Sequence, residues 1–275
     1  MAKLRYVREM KQVAARKGGA GGMKNVVQSI RARYETDPEI AAALLPKPLV
    51  AAASPEIFVQ FANVTMHFKN DHVMTVGAAT VGVACTYEGR PGHYVLAMPM
   101  EGEFVVIGGR EKFGEPKKIA TTEFTRNDAR VGAKVSRHGI TFLELHGKLG
   151  APSERERVFT EHFFCFKAMP AIDGNGGFDG DVFLTQLNWE RNYDSIHHIE
   201  DGEVILRESV FDPLVDVPVR RLVSMEFAEG ASTTSGEILR QVPGEWLEPF
   251  LVQRYDDPTR GVEITLASEG TKNDG

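Results

Sequence analysis

The chain has 275 residues, enough for one large domain or two small ones, and its 42% hydrophobic and 25% charged residues exclude extensive disorder. No apolar run approaches the roughly 18 residues that a membrane-spanning helix needs, which excludes a transmembrane protein. The formal net charge of −6 disfavours binding to the phosphates of a nucleic acid.

Residues 1–23 are predicted to form a basic N-terminal arm with a glycine-rich hinge. Six of the first 17 residues are lysine or arginine and one is acidic, and the run Gly18–Gly22 follows. The basic stretch lacks the apolar segment of a signal peptide, and the glycines lack the Gly-Lys-Ser/Thr ending of a phosphate-binding loop. We therefore predict a short exposed helix or arm here, a single domain over residues 24–265, and a flexible tail over residues 266–275.

The rest of the chain consists of short apolar or alternating runs separated by turn residues, a pattern typical of an antiparallel, barrel-like domain. The run Phe104–Gly109 is interpreted as one of these strands. Helices are predicted to be few. Thr36–Glu39 has the sequence of a capping box with proline just inside the helix, and Pro46–Pro48 ends that helix. A second short helix is predicted within Ser235–Gln241 and a further turn near Gly244–Phe250, so the predicted fold class is mainly β (α+β).

The cysteines and histidines predict neither a disulfide framework nor a metal site. Cys85 and Cys165 each lie within an apolar run, which indicates buried free thiols in a reducing compartment, here the cytoplasm. His197 and His198 are adjacent, so on a strand they would face opposite ways and could not share a metal ion.

A pair of adjacent lysines, Lys117 and Lys118, carries the strongest chemical signal. In a solvated turn such a pair has no special chemistry. Here it lies between the apolar run Phe104–Gly109 and Ile119–Ala120, so at least one lysine is expected inside a strand-lined interior. Burial can lower the pKa of a lysine from about 10.4 by about 3–5 units. The neutral amine then attacks a carbonyl group, and the iminium that results accepts electrons from a breaking bond.

The segment that contains these lysines, GGREKFGEPKKIA, resembles the signature of the acetoacetate decarboxylase superfamily, where Gly-Arg-Glu and Pro-Lys-Lys recur at this separation. The resemblance extends over about Val27–Val219 and includes an early Thr-Asp-Pro helix followed by a Pro-x-Pro-Leu turn. It implies a cone-shaped antiparallel β-barrel around an interior pocket. It also implies a homo-oligomer that acts on a small molecule without a cofactor and without a membrane or nucleic-acid partner.

By this resemblance Lys117 matches the Schiff-base lysine and Lys118 the second lysine of the family. Adjacent residues on a strand point to opposite faces, so desolvation of Lys117 is expected to outweigh any effect of the Lys118 charge. Arg110 and Glu111 are predicted pocket positions as well. They are expected to pair with each other and brace the signature loop, and contact with the substrate is the alternative.

Three positions depart from the family pattern. Glu35 stands where the decarboxylases have an arginine, and Ala62 and Ala78 align with two acidic residues of their pocket. Losing two carboxylates enlarges the pocket and makes it less polar, which favours a keto acid bulkier and more apolar than acetoacetate. The sequence does not identify the group that transfers protons in their place. The candidates near in sequence are Glu101, Glu103, Glu111 and Tyr94.

Three hypotheses follow for the function. The first is decarboxylation of a keto acid through an enamine. The second is aldol cleavage, condensation or dehydration through the same iminium. The third, motivated by the missing pocket acids, is a barrel that binds a small hydrophobic ligand without catalysis.

Overall fold

The computed structural model describes residues 6–17, 25–68 and 72–256. The α-helices are α1 (Met10–Lys17), α2 (Pro38–Ala43) and α3 (Glu103–Phe113), and short 3₁₀ helices cover Leu214–Asp216, Gly244–Trp246 and Glu248–Gln253. The strands are β1 (Asn25–Glu35), β2 (Val50–Ala51), β3 (Glu56–His67), β4 (Val73–Tyr87), β5 (Arg90–Met100), β6 (Lys117–Ile119), β7 (Thr121–Asn127), β8 (Arg130–Arg137), β9 (Ile140–Pro152), β10 (Val158–Lys167), β11 (Val182–Leu206) and β12 (Arg221–Val242).

The strands form one twelve-stranded sheet, in which ten strands follow the order β10-β5-β4-β3-β1-β12-β11-β9-β8-β7, while β2 pairs with β4 and β6 with β5. Strand β10 pairs with β5 and also with β11, so seven strands are joined into a ring by hydrogen bonds. The remaining long strands, β9, β8 and β7, extend from β11. All pairings are antiparallel except those of β5 with β10 and with β6. The prediction of a mainly β fold with few short helices is confirmed.

Side chains that alternate along the strands form separate apolar clusters in the interior. On β1, Ile30 and Tyr34 are almost fully buried and pack in the largest apolar cluster with Phe61 and Phe227. A second cluster contains Phe58, Met98, Phe163, Cys165 and Trp189 and lies beside the strand pair β5–β6. Because side chains alternate along a strand, one sheet supplies both groups.

A buried ion cluster joins β1, β10 and β11. Glu161 forms ion pairs with Arg31 and, at 2.9 Å, with Arg191 Nε, and the three side chains are 3–11% exposed. Arg31 also donates to the Tyr193 hydroxyl at 2.7 Å, and Arg191 donates to Gln60 at 3.2 Å. Burial opposes ionisation of Glu161, but the two guanidinium groups outweigh it and hold the pKa of that carboxyl at about 2. The cluster therefore holds a carboxylate in place between two cations.

Two predicted elements are wrong. Phe104–Gly109 lies in α3, which begins after Gly102 (φ 83°) and ends at Gly114 (φ 78°). Phe104 and Ile107 are exposed there, so apolar residues cover the outer face of this helix as well as its buried face, and the helical period does not appear in the sequence. Ser235–Gln241 belongs to β12, where pairing with β11 outweighs local helix preference.

The first predicted helix exists, but its capping box is wrong. Helix α2 begins at Pro38 with Asp37 as the N-cap, and no side chain caps it. The Asp37 carboxylate instead accepts hydrogen bonds from Arg220, the shortest of 2.7 Å, and the Thr36 hydroxyl is buried without a hydrogen bond. The end of this helix before Pro46 is confirmed.

The structure describes part of the predicted N-terminal arm, the turn near Gly244–Phe250 and both cysteines. A short helix near the N-terminus is present as α1, exposed at residues 10–12 and 14, and the turn near Gly244–Phe250 is confirmed as two 3₁₀ helices. Cys85 and Cys165 are buried free thiols, as predicted, and burial raises the pKa of Cys85 to about 12. The glycine-rich hinge and the tail of residues 266–275 lie outside the described residues.

Candidate functional site

A cleft of about 650 Å³ lies between α3, β6, the end of β8 and a short segment at residues 254–256. Its walls combine apolar side chains with a high density of cationic ones. The lining residues are Val106, Ile107, Arg110, Lys117, Lys118, Ile119, Ala120, Thr121, Ser136, Arg137, His138, Arg254, Tyr255 and Asp256.

The two lysines reach this cleft because the chain turns sharply after α3. Gly114, in the left-handed region, ends the helix, and β6 then runs parallel to β5 with Lys117 beside Met98 and Lys118 beside Pro99. Consecutive residues of β6 project to opposite faces, so the two side chains have different partners. Both are largely buried, with 13% of the Lys117 side chain and 9% of the Lys118 side chain exposed.

The amine of Lys117 is held between a carboxylate and the first turns of α3. Its Nζ lies 2.8 Å from Glu115 Oε2 and donates a 3.4 Å hydrogen bond to the carbonyl oxygen of Val105. Gly109 of α3 leaves the space for this side chain. A Cβ atom at that position would lie 2.5 Å from Lys117 Nζ and 2.6 Å from its Cδ. Because Gly109 has no side chain, the space that the Lys117 amine occupies beside α3 stays free.

Glu115 is a site residue that the sequence reasoning missed. It is 3% exposed, and among the described residues its Oε2 has the ion pair with Lys117 but no hydrogen-bond donor of good geometry. Burial raises the pKa of the Cys165 thiol, and the nearby charge of Glu115 raises it further. Its spacing from Lys117 could have indicated this residue, because residues two apart in an extended segment lie on the same side of the chain.

Lys118 belongs to a separate ion cluster in the wall of the cleft, which Arg137 and Asp256 line as well. Its Nζ donates to the Phe211 carbonyl at 3.0 Å and lies 3.3 Å from carboxylate oxygens of Asp212 and Asp256. Arg137 contacts the same two carboxylates at 2.6 and 2.5 Å. Burial lowers the pKa of Lys118, against the opposing charges of Asp212 and Asp256. These contacts tie Lys118 to the segment that carries Asp256.

Replacing Asp212 with asparagine is expected to lower the free energy of unfolding by about 3 kcal/mol, because Lys118 and Arg137 would lose a buried counter-ion. Chemistry at Lys117 should survive, since the two lysines share no partner. Urea denaturation measures the first effect and covalent trapping at Lys117 the second. Unchanged stability, or loss of trapping in a folded variant, would contradict this division.

Arg110 braces the signature segment through backbone carbonyl groups. It donates 2.9 Å hydrogen bonds to the carbonyl oxygens of Lys117 and Arg254, and its guanidinium lies 5.0 Å from the centre of the Tyr255 ring. Burial, and then the charge of Arg254, lower the pKa of Arg110. The expected ion pair with Glu111 is wrong, because Glu111 is exposed on the outer side of α3 while Arg110 turns inward.

The other three predicted pocket positions do not line the cleft. Glu35 lies at the end of β1 and forms an ion pair with Arg221, both partly exposed. Ala62 and Ala78 face each other across β3 and β4, and Ala78 lies opposite Met100 of β5. The alanines are thus separated from β6 by β5, and Ala78 packs with apolar residues beneath α3.

The remaining candidates for proton transfer are engaged elsewhere or exposed. Glu101 accepts hydrogen bonds from the backbone amides of Gly77 and Thr122, at 3.0 and 3.1 Å. Glu103 is exposed at the start of α3, and the hydroxyl of Tyr94 contacts Gln253 at 3.1 Å. None of them is in ion-pair or hydrogen-bond contact with the Lys117 amine within the described ranges.

The described residues contain no group of three or more His, Cys, Asp or Glu side chains placed to hold a metal ion. In the same part of the chain, no helix is both long enough and apolar enough to cross a membrane.

A sequence model of the family described as acetoacetate decarboxylase (ADC) matches residues 14–242. Among curated proteins, the acetoacetate decarboxylases of Ralstonia nicotianae and Burkholderia cenocepacia are 31% and 29% identical over 146 residues. These alignments cover 51% of this chain and 57% of each relative, so the chain spans little more than half the length of the curated relatives it matches.

Solved structures share the fold at low sequence identity. The acetoacetate decarboxylase from Legionella pneumophila gives a TM-score of 0.68 at 18% identity, over 80% of this chain and 88% of that one. The enduracididine biosynthesis enzyme MppR complexed with pyruvate gives 0.68 at 15%, over 80% and 91%. An acetoacetate decarboxylase-like enzyme from Sphingomonas wittichii gives 0.64 at 17%, over 81% and 95%.

Proposed function

This chain belongs to the acetoacetate decarboxylase family, and on that basis we propose that it is a lyase in which Lys117 forms a Schiff base with a keto acid. Decarboxylation through an enamine is the favoured reaction. Once the iminium has formed, it accepts the electron pair of the breaking carbon–carbon bond, so the proposed reaction needs no cofactor. We also propose a homo-oligomer, as the family resemblance implies, in the cytoplasm, where the two buried cysteines would stay reduced.

The observation that carries this proposal is the environment of the Lys117 amine. Its side chain is only 13% exposed, yet it lines an open cleft, and a buried carboxylate lies 2.8 Å from the amine. An enzyme that forms an imine needs these three features together: a nucleophile shielded from water, a path for the ketone, and a group that moves protons.

The charge and size of the cleft support a keto acid as the substrate. Five cationic side chains line the cleft, and they face three carboxylates: Asp256 in the cleft wall, and Glu115 and Asp212 beside it. The five are Arg110, Lys117, Lys118, Arg137 and Arg254. The surplus positive charge attracts an anion in a chain whose net charge is −6. Val106, Ile107 and other apolar residues line the same cleft of about 650 Å³, which favours a substrate bulkier and more apolar than acetoacetate.

A condensation or dehydration reaction through the same iminium is the second candidate. It is favoured by the shared fold with MppR, which has been solved in complex with the condensation product of pyruvate and imidazole 4-carboxaldehyde. The third hypothesis, a barrel that binds a ligand without catalysis, is disfavoured by the buried lysine–carboxylate pair.

Covalent trapping tests the proposal. We expect borohydride to reduce an imine formed from pyruvate, 2-oxobutyrate, acetoacetate or the bulkier and more apolar 4-methyl-2-oxopentanoate, and to leave an adduct that peptide mapping assigns to Lys117. The adduct should be absent in Lys117→Ala and present in the matched control Lys112→Ala, because Lys112 is exposed on α3. Release of carbon dioxide from acetoacetate, measured in parallel, separates decarboxylation from condensation.

Failure to detect an adduct with any of the four compounds, in a folded protein, would contradict both enzymatic hypotheses. Binding of a ligand without catalysis would then be the remaining hypothesis.

A further inference from the structure

The carboxylate of Glu115 occupies the position from which protons can be moved at an imine on Lys117. Its Oε2 lies 2.8 Å from Nζ, and no other carboxylate in the described part of the chain is in ion-pair contact with that amine. Asp212 and Asp256 are bound by Lys118 and Arg137 in the separate cluster. Glu115 is therefore the carboxylate positioned for acid–base chemistry at Lys117.

We propose that Glu115 is the acid–base group that carries protons to and from the carbon next to the imine. This inference rests on the proposed Schiff-base function. Hydrogen-bond reach to the proton being moved is the first requirement for such a group. The carbon in question is two bonds from Nζ, so a carboxylate oxygen in contact with Nζ can approach its hydrogen atoms.

The proton balance of the exchange step is simple. The Glu115 carboxylate takes a proton from the carbon next to the iminium, and the electron pair of that C–H bond forms the carbon–carbon double bond of the enamine while the nitrogen becomes neutral. The carboxylic acid then exchanges its proton with water. Returning a proton to the same carbon restores the iminium. In a decarboxylation, the C–C bond supplies the electron pair, and the acid delivers a proton that it has taken up from water.

The surroundings of Glu115 suit this role better than a purely structural one. A structural ion pair in a buried site normally has further hydrogen bonds that satisfy the carboxylate. Glu161 illustrates this, since both of its oxygens accept from arginine side chains. Oε2 of Glu115, in contrast, has no hydrogen-bond donor of good geometry in the described part of the chain. That oxygen is left with bonding capacity beside the reactive amine.

The test is deuterium incorporation into a ketone that undergoes no net reaction. Pyruvate and 2-oxobutyrate are incubated with the enzyme in deuterated water, and NMR follows loss of the hydrogen atoms next to the carbonyl. We expect Glu115→Gln to keep the borohydride adduct on Lys117 within a few-fold of the wild type. Exchange should slow by about 100-fold or more, the usual contribution of a general acid–base group. Glu115→Asp should restore part of the rate.

The control and the contrary outcomes separate this inference from the proposed function. Glu123→Gln, an exposed glutamate on β7, should change neither readout. Equal exchange in the wild type and Glu115→Gln would overturn the acid–base role while leaving the Schiff base intact. Loss of both adduct and exchange in a folded Glu115→Gln would make Glu115 a positioning residue and overturn the role proposed here. No adduct in the wild type would overturn the function and this inference together.

Discussion

Replacing Gly109 with alanine is expected to reduce imine formation at Lys117 by about 100-fold or more while the protein stays folded. The new Cβ would lie 2.5 Å from Lys117 Nζ and would also overlap Glu115 Oε2. Together with the 2.6 Å contact to Lys117 Cδ, all three close contacts are with flexible side chains and none is with backbone, so the pair can move aside without unfolding α3. Movement of a reactive group by about 1 Å can cost about 100-fold in rate. The rate of borohydride trapping with pyruvate measures the loss.

Gly108 provides a matched control, because it is the neighbouring glycine of the same helix. A Cβ there would have no neighbour within 4 Å. Alanine within a helix is favoured over glycine by about 0.5–1 kcal/mol, so Gly108→Ala should be slightly more stable and equally reactive. Normal trapping by Gly109→Ala would show that the amine does not need the space beneath α3.

Replacing Glu161 with glutamine is expected to lower the free energy of unfolding by about 3–5 kcal/mol at neutral pH. The substitution keeps the size of the side chain but leaves Arg31 and Arg191 as buried cations without a counter-ion. Urea denaturation measures the change. Glu35→Gln is the matched control, because its partner Arg221 is more than half exposed and such a surface pair contributes about 0–1 kcal/mol.

The effect of Glu161 should depend on pH in a defined direction. Its pKa is held at about 2 in the folded protein and is about 4.3 in an unfolded chain. The stabilisation is therefore complete above about pH 5 and is lost as the pH falls towards 2. The stability difference between the wild type and Glu161→Gln should shrink over that interval. A difference that stays constant from pH 7 to pH 3 would contradict the buried ion pair as its source.

The sequence predicts most of the strands, because alternation of apolar residues follows directly from a sheet with a buried face. Sequence-based prediction fails where contacts with distant parts of the same chain decide the structure, or where the apolar residues show no period. Ser235–Gln241 contains residues compatible with a helix, yet hydrogen bonds from β11 make it a strand. Phe104–Gly109 is apolar on both faces, so no period distinguishes a helix from a strand.

Some residues of the candidate site can likewise be predicted from the sequence, and others cannot. Lys117 and Arg110 can be found from their local motif, and the structure brings both to the cleft. Glu115 lies within the same motif, but its burial depends on the turn at Gly114, which sequence spacing alone does not specify. The wall formed by residues 254–256 cannot be predicted locally, since it reaches the cleft through ion pairs with residues more than 100 positions earlier.

The contribution of residues 254–256 to the cleft has a consequence for the protein while it is being made. A ribosome synthesises α3 and β6 long before it reaches Arg254, whose carbonyl binds Arg110, and Asp256, which binds Arg137 and Lys118. Until those residues emerge, the cleft lacks one wall. In a nascent or interrupted chain Lys117 would therefore face a cleft that is open on the side that residues 254–256 cover.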